Sequence, residues 1–394
     1  MNAAISAHTA SAASAASADP LAPVFAQYPL QVTHAEGVWL HTADGRRVLD
    51  LYGGHAVAAL GYAHPGWTRA LQTQALALNF QSNAVPLDVR TRAAARLLRF
   101  AGGHFSQLFF VNSGAEANEN ALKMAFTLTQ RSQVVALEHS FHGRTAAAGA
   151  ITWGAAAKWY GFPRAPFDVR FLPRRDAAAL DAITTATAAV IVEPVQGVGG
   201  AFELGADYLR ALRQRCDATG AVLIFDEVQC GMGRTGAPFA ANLYGVMPDM
   251  ITTAKALGNG FPCAALLMNP RVAAAVKLDA LGTTFGGGPM ACAVIEAVID
   301  AIESEQLLAN VRHIGALIRE RCIVGPVRGH QGAGLLTGLI CDRPAKHIHS
   351  ALLERDILAG TSGDPKVLRL LPPFILRPEH VEQLRAALLE IGPE

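Results

Sequence analysis

Short apolar runs, each followed by a stretch of helical spacing, dominate the middle of the chain and restrict its fold more than any other feature. They are LFFV (108–111), VVAL (134–137), AAVIV (188–192), AVLIF (221–225), MITT (250–253) and AALLM (264–268). Unbroken apolar segments of this length suit strands buried on both faces. Their alternation with helices predicts an α/β fold with a mainly parallel sheet. In open sheets of this kind, ligands bind just outside the carboxyl ends of the strands. Polar residues gather at those ends here: Asn112 and Ser113 after the first run, Glu193 after the third, Asp226 after the fourth and Lys255 after the fifth.

The flanks read differently. Over residues 30–52, Val38 and Leu40 alternate with polar neighbours, Asp44-Gly45 supplies a turn, and Val48 and Leu49 follow, which predicts a small β-meander. A long helical pattern begins at 291, and VLRLLPPFIL (367–376) leads to a last helix over 378–391. Together these segments predict a second, smaller domain drawn from both chain ends. The first 19 residues are Ala/Ser-rich and lack the basic start and apolar centre of a secretory signal. A disordered tail is expected there.

Composition excludes several classes of function. With 394 residues, 51% of them hydrophobic and 16% charged, the chain can bury a large core, and its length suits two domains. Lys+Arg (33) balances Asp+Glu (32), leaving no field for nucleic acid or an anionic membrane, so a small-molecule partner is expected. Six cysteines without a CxxC pair argue against a disulfide framework or zinc site and for a reducing compartment. No apolar run of about 18 residues is present, so no membrane span is expected. His347 and His349 have no third ligand near them in sequence and read as a surface pair, so no metal is expected.

The strand-end residues carry the chemistry. NSGAEA (112–117) opens a helix with an apolar face of Ala117, Ala121, Met124, Ala125 and Leu128. Ser113 can cap that helix, and Gly114 lets a phosphate approach the free N–H groups. Alone, the pattern equally suits an ordinary strand–helix turn. Asp226 ends AVLIF, so its carboxylate needs a partner once buried. A protonated ring nitrogen would serve, as would a helix N-terminus or a structural ion pair. Lys255 precedes Gly258, Asn259 and Gly260, and a desolvated amine at such a turn is nucleophilic toward carbonyls. Phe141 can stack on a planar cofactor and Arg144 can grip a carboxylate, although FHGRT (141–145) also fits a turn with a surface arginine. Arg369 lies among aliphatics and calls for an anion, either a substrate carboxylate or an internal glutamate.

With these motifs the chain resembles the class III (ω-type) aminotransferases of pyridoxal-5′-phosphate (PLP) fold type I, in the branch that handles acetylornithine and ornithine. The resemblance covers nearly everything after about residue 25. It rests on GGHAVAALGYAHP (53–65), NSGAEANENALKMA (112–125), FHGRT (141–145), VIVEPVQG (190–197), LIFDEVQCGMGRTG (223–236), AKALGNGFP (254–262), TTFGGGPMAC (283–292) and RLLPP (369–373). It implies that Lys255 holds PLP covalently, Asp226 pairs with the pyridine nitrogen and Gln229 lies by the phenolic oxygen. Val228 packs beneath the ring, Phe141 stacks on it, and Ser113, Gly114 and Ala115 hold the phosphate. Arg144, Arg369, Glu193 and Tyr28 are the implied substrate-binding residues. Thr284 is expected to reach the phosphate of the neighbouring subunit, which implies a homodimer with shared active sites. The implied division is a tail over 1–24, a first part of the small α+β domain over 25–52, a large PLP-binding domain with a mainly parallel mixed sheet over 53–290, and the rest of the small domain over 291–394.

The resemblance implies ping-pong transamination in the cytoplasm, from the terminal amine of N-acetylornithine or a similar ω-amino acid to 2-oxoglutarate. The products are glutamate and a semialdehyde, a step of arginine biosynthesis. Arg144 would grip the donor's acylated end and Arg369 the oxo acid's carboxylate. Ornithine, succinylornithine and 4-aminobutyrate are alternative donors, and racemisation or decarboxylation are alternative chemistries of the same scaffold. The chain departs from the family pattern at three places. Where the family has QGEGG, this sequence reads Gln196-Gly197-Val198-Gly199-Gly200. In relatives that glutamate pairs with the arginine matching Arg369 and acts as a gate between the two substrates, so Val198 leaves Arg369 to find an anion elsewhere, with Glu193 a candidate. GGGP (286–289) replaces GGNP, and VRGHQGAGLL (327–336) carries extra residues.

Overall fold

The computed structural model describes residues 20–394. The expected tail therefore lies, as far as residue 19, outside the described residues, and residues 20–24 are exposed. Seven strands form the central sheet, in the order Gln107–Val111, Ala264–Met268, Met250–Thr253, Val222–Asp226, Thr187–Val192, Gln133–Leu137 and Asp168–Leu172. Only Ala264–Met268 runs against its neighbours; the remaining pairings are parallel. This is the mainly parallel mixed sheet that the apolar runs predict. Thr187–Val192, Val222–Asp226 and Ala264–Met268 are buried at every residue, because helices cover both faces and leave no side for polar alternation. Asp168–Leu172 is the strand the apolar-run criterion misses. As an edge strand it exposes Asp168 and Arg170 between partly buried Val169 and Phe171, and such charges also discourage edge-to-edge pairing.

Helix Gly114–Thr129 lies on this sheet through Ala117, Ala121, Leu122, Met124 and Ala125, all buried. The small alanines bring its axis close to the strands, so its N-terminus points at the strand ends that carry Asp226 and Lys255. Close approach is fixed at Gly114, where a Cβ would lie 2.8 Å from both γ-carbons of Val228.

The chain ends share structure. The meander Val32–Glu36, Trp39–Thr42 and Arg47–Asp50 gains a fourth strand, Ile357–Leu358, parallel to Arg47–Asp50. Val327–Ala333, Leu336–Cys341 and Val367–Leu370 form a three-stranded antiparallel sheet. The extra residues of VRGHQGAGLL become the first strand of this hairpin, with a register shift between Val327 and Gly329. Helix Pro289–Ser304 spans the expected boundary at 291 and packs on helices Pro65–Ala77 and Asp88–Phe100. The last helix covers Pro378–Ile391, as its pattern predicts. One expectation fails here. His347 is exposed, but His349 is buried, because residues two apart on helix Ala345–Leu353 face different sides. Its ring packs against Tyr28 with centroids 4.9 Å apart. Among the described residues no helix is long and apolar enough to cross a membrane.

Candidate active site

The sheet's carboxyl edge brings the expected residues together. Ser113, Gly114, Ala115, Phe141, Glu193, Asp226, Val228, Gln229 and Lys255 line one cavity of about 350 Å³. Asp226 is the last residue of its strand and stands opposite Thr252 in the next parallel strand. Lys255 follows that second strand and opens the short turn Lys255–Leu257. The lysine and the aspartate thus reach the cavity from neighbouring strands.

Asp226 sits in a network the sequence did not reveal. Its Oδ2 accepts from Asn118 Nδ2 at 2.7 Å and from His142 Nδ1 at 2.7 Å. Its Oδ1 accepts from the Val228 backbone N–H at 3.0 Å. Asn118 is held in turn by Thr252, whose hydroxyl donates to Asn118 Oδ1 at 2.7 Å. A carboxylate only accepts, so Nδ1 of His142 carries a proton. The signal for Asn118 was present in NSGAEAN: it lies one turn into the helix, on the same face as Ala121 and Ala125. A polar residue in an apolar helical stripe demands a buried partner.

Burial lowers the pKa of Lys255, partly opposed by the charges of Asp226 and Glu193. The amine is thereby shifted toward its nucleophilic neutral form. Burial pushes the Glu193 carboxyl up to about 7, against the pull of His142. Glu193 does not turn to Arg369. Its two oxygens accept from the backbone N–H of Phe141 at 2.8 Å and of Gly197 at 3.2 Å, tying the aromatic turn to the Gly197–Gly200 loop. The next acid, Glu227, is pushed up to about 8 by burial and accepts from the backbone N–H groups of Ala240 and Ala241. It serves a helix start and not the cavity.

The residues present fit PLP. Ser113 caps helix Gly114–Thr129, its Oγ accepting from Glu116 N at 3.2 Å, so the free N–H groups of the first turn face the cavity as an anion site. His142 Nε2 and Gln229 Oε1 are buried, lie on cavity-lining residues and have no partner, which is where a ring substituent can bond. A Cβ on Gly197 would lie 1.5 Å from Gln229 Oε1, so only glycine lets the glutamine occupy this place.

Four expected residues lie outside the cavity lining. Arg144 is exposed, with its guanidinium 4.7 Å from the centre of the Trp159 ring. Thr284 is exposed as well. Arg369 is buried, and its Nε donates to Thr361 O at 2.7 Å, its Nη2 to the Tyr52 hydroxyl at 3.4 Å, while Nη1 has no partner. Tyr28 is partly exposed near this arginine, whose charge acts against the rise in Tyr28 pKa caused by burial.

Comparison with known proteins agrees with this geometry. The family model described as aminotransferase class-III matches residues 22–391. An acetylornithine aminotransferase of Methanocaldococcus jannaschii is 36% identical over 387 residues, covering 94% of this chain and 95% of that protein. Among solved structures, the acetylornithine aminotransferase of Elizabethkingia anophelis superposes with a TM-score of 0.83 at 28% identity, covering 94% of this chain and 96% of that one. The ornithine aminotransferase of Toxoplasma gondii, solved with PLP at partial occupancy, superposes with a TM-score of 0.86 at 26% identity, covering 94% and 92%. A match across almost all of the described chain, on a fold whose strand ends assemble a lysine, an aspartate and a capped helix N-terminus, makes this protein a member of the class-III aminotransferases, which depend on PLP.

Proposed function

We propose that the enzyme transfers the terminal amino group of N-acetylornithine, or of a closely similar ω-amino acid, to 2-oxoglutarate. The observation that carries this reading is Arg369, a buried guanidinium with a free Nη1 and no carboxylate bonded to it among the described residues. Such a group is costly unless an anion completes it, and a substrate carboxylate meets the need. Arg144, exposed beside Trp159, can take the far carboxylate of a longer donor.

When bound, PLP supplies a protonated ring that draws off the electron pair released at the donor's reacting carbon. The protein does the rest. Asp226 keeps a negative charge beside the ring nitrogen, fixed by Asn118, His142 and the Val228 amide. The amine of Lys255 takes the proton from the donor's reacting carbon and returns it at the neighbouring position, which its lowered pKa suits. Phe141 and Val228, which line the same cavity, would enclose the cofactor's ring, and Ser113, Gly114 and Ala115 would hold its phosphate. Glu193 keeps the Phe141 turn and the Gly197 loop at a fixed separation. The test is a donor screen on holoenzyme, followed by cofactor absorbance. N-acetylornithine should convert the cofactor to its amine form faster than ornithine or 4-aminobutyrate, and a failure of N-acetylornithine to do so refutes the donor assignment.

Val198 gives a sharper prediction. It lines the cavity, and its carbonyl accepts from Gly363 N at 2.8 Å, next to the Thr361 carbonyl bonded by Arg369. A carboxylate introduced by Val198→Glu can reach Arg369 and compete with a substrate carboxylate. The substitution should slow the glutamate half-reaction more than the N-acetylornithine half-reaction in single-turnover kinetics. Equal slowing, or faster glutamate, means that Val198 only packs.

The functional unit is a homodimer in the cytoplasm, with a small domain from both chain ends beside the large one. Thr284 is exposed and away from its own cavity, as a residue serving a second copy would be. Its neighbour Phe285, 64% accessible, packs against Phe80, 39% accessible, with ring centroids 5.5 Å apart, and a second chain would cover this apolar area. Sedimentation at assay concentration should give a dimer, and an active monomer would rule out shared sites.

A further inference from the structure

The turn Gly53–Ala56 is left-handed, with φ of 56° at Gly53, 55° at Gly54, 65° at His55 and 68° at Ala56. Glycine enters this region freely, but His55 and Ala56 hold it only where packing imposes it. The packing is visible. Buried Asp50 accepts from Tyr52 N at 2.8 Å, Gly53 N at 2.9 Å and the Tyr62 hydroxyl at 2.6 Å. Ala56 O accepts from the buried Arg234 at 3.5 Å. A Cβ on Gly53 would lie 2.6 Å from Leu371 O.

What the strained turn presents is His55, exposed and two residues from cavity-lining Val57. His55 Nδ1 lies 2.7 Å from the Tyr52 hydroxyl oxygen, and Arg369 Nη2 donates to that same oxygen at 3.4 Å. The row is rigid. A Cβ on Gly360 would lie 2.1 Å from Cε2 of Tyr52, so the ring rests directly on that backbone. Gly360 N and O bond Arg369 O and N at 2.9 and 2.7 Å. Histidine, tyrosine and arginine therefore cannot drift apart.

The proton inventory of this row has two solutions. Arginine only donates, so the Tyr52 oxygen accepts from Arg369 in both. With the His55 proton on Nε2, the Tyr52 O–H donates to Nδ1 and points away from Arg369's free Nη1. With the proton on Nδ1, His55 donates to the Tyr52 oxygen, and the tyrosine hydrogen is free to turn to a carboxylate on Arg369. Partial burial and the charges of Arg369 and Lys255 lower the pKa of His55, which favours the neutral ring that both arrangements need. Tyr52, Glu193 and Tyr28 are the other titratable groups whose charge acts on Arg369.

We propose that His55 is a specificity-determining residue, which turns the Tyr52 hydroxyl toward a dicarboxylate substrate on Arg369 and away from it when that place is empty. The device is uncharged, so it serves one half-reaction without an acid blocking the arginine in the other. It rests on the reading that Arg369 receives a substrate carboxylate.

The test uses holoenzyme and two readouts: the dissociation constant of glutarate, an unreactive dicarboxylate, and the ratio of single-turnover rates with glutamate and N-acetylornithine. Losing a donor to a charged acceptor should weaken glutarate binding in Tyr52→Phe by roughly tenfold or more, with a similar fall in the glutamate-to-N-acetylornithine ratio. In His55→Phe the Tyr52 hydroxyl loses its competing acceptor and is free to face the carboxylate, so glutarate should bind about fivefold more tightly and the ratio should rise by a similar factor. His55→Asn keeps a group able to donate or accept at the δ position and tolerates positive φ, so both values should return toward those of wild type. Glutarate bound by His55→Phe no more tightly than by wild type, or a folded His55→Asn that behaves as His55→Phe does, overturns the proposal. If His55→Phe does not fold, His55→Gly, which suits the left-handed turn, takes its place with the same two readouts. Wild type that binds no glutarate and reacts with neither donor would instead refute the reading of Arg369.

Discussion

Lys255→Ala is expected to fold and to transfer no amino groups from any donor. The buried amine has a lowered pKa, so the folded state binds fewer protons than the unfolded state at pH values between that lowered value and the ordinary lysine value. Stability rises with pH through that window, and below it the full cost of desolvating the amine is present. Alanine removes this cost. The backbone at Lys255, with φ of 48°, is as unfavourable for lysine as for alanine, so the turn gains no new strain. Compared without cofactor, the variant should therefore melt no lower than wild type at neutral pH. Dialysis should strip its cofactor, because the phosphate cradle at Ser113–Ala115 then holds it alone. Turnover above background in the alanine variant would remove Lys255 from the chemistry.

Asp226→Asn should bind the cofactor and turn over at least about a hundredfold more slowly, a loss of roughly 3 kcal/mol in the barrier. The hydrogen-bond geometry explains the direction. Asn118 Nδ2 and His142 Nδ1 both donate to Oδ2, so an amide must place its single oxygen there. Its NH₂ then occupies the Oδ1 position, facing the Val228 N–H that Oδ1 now accepts and any protonated ring nitrogen beside it. Two donors confront each other, and the arrangement is relieved only if the ring nitrogen gives up its proton. The electron sink weakens, while the fold loses one buried bond at Val228. Rates near wild type would show that Asp226 is structural. His142→Gln should produce a milder loss in the same direction, since the amide can still donate to Oδ2.

The strand-end chemistry was legible because parallel strands advertise themselves. A run such as AVLIF has no polar alternation, so the first charged residue after it marks the sheet's edge. That placed Asp226 and Lys255 after successive strands, and the structure makes those strands neighbours, with Asp226 opposite Thr252, three residues before the lysine. The edge strand Asp168–Leu172 was hidden by its own charges, and the burial of His349 by reading it together with His347 as a surface pair. Asn118 and His142 could not be paired with Asp226 from sequence, since the bonds span 108 and 84 residues. The left-handed turn at His55 was equally hidden: two glycines permit it, but Asp50, Arg234 and Leu371, far apart in the chain, impose it. The substitution at Val198 was visible, but not that Glu193 would be occupied by Phe141 and Gly197 and leave Nη1 of Arg369 without a partner.

The central claim is that this one lysine, among all those in the chain, bonds the cofactor. Reduction of the holoenzyme with borohydride, followed by peptide mapping, tests it directly. A single stable cofactor adduct is expected on the peptide containing Lys255, and none after Lys255→Ala; an adduct on any other lysine of the wild-type protein would contradict the assignment.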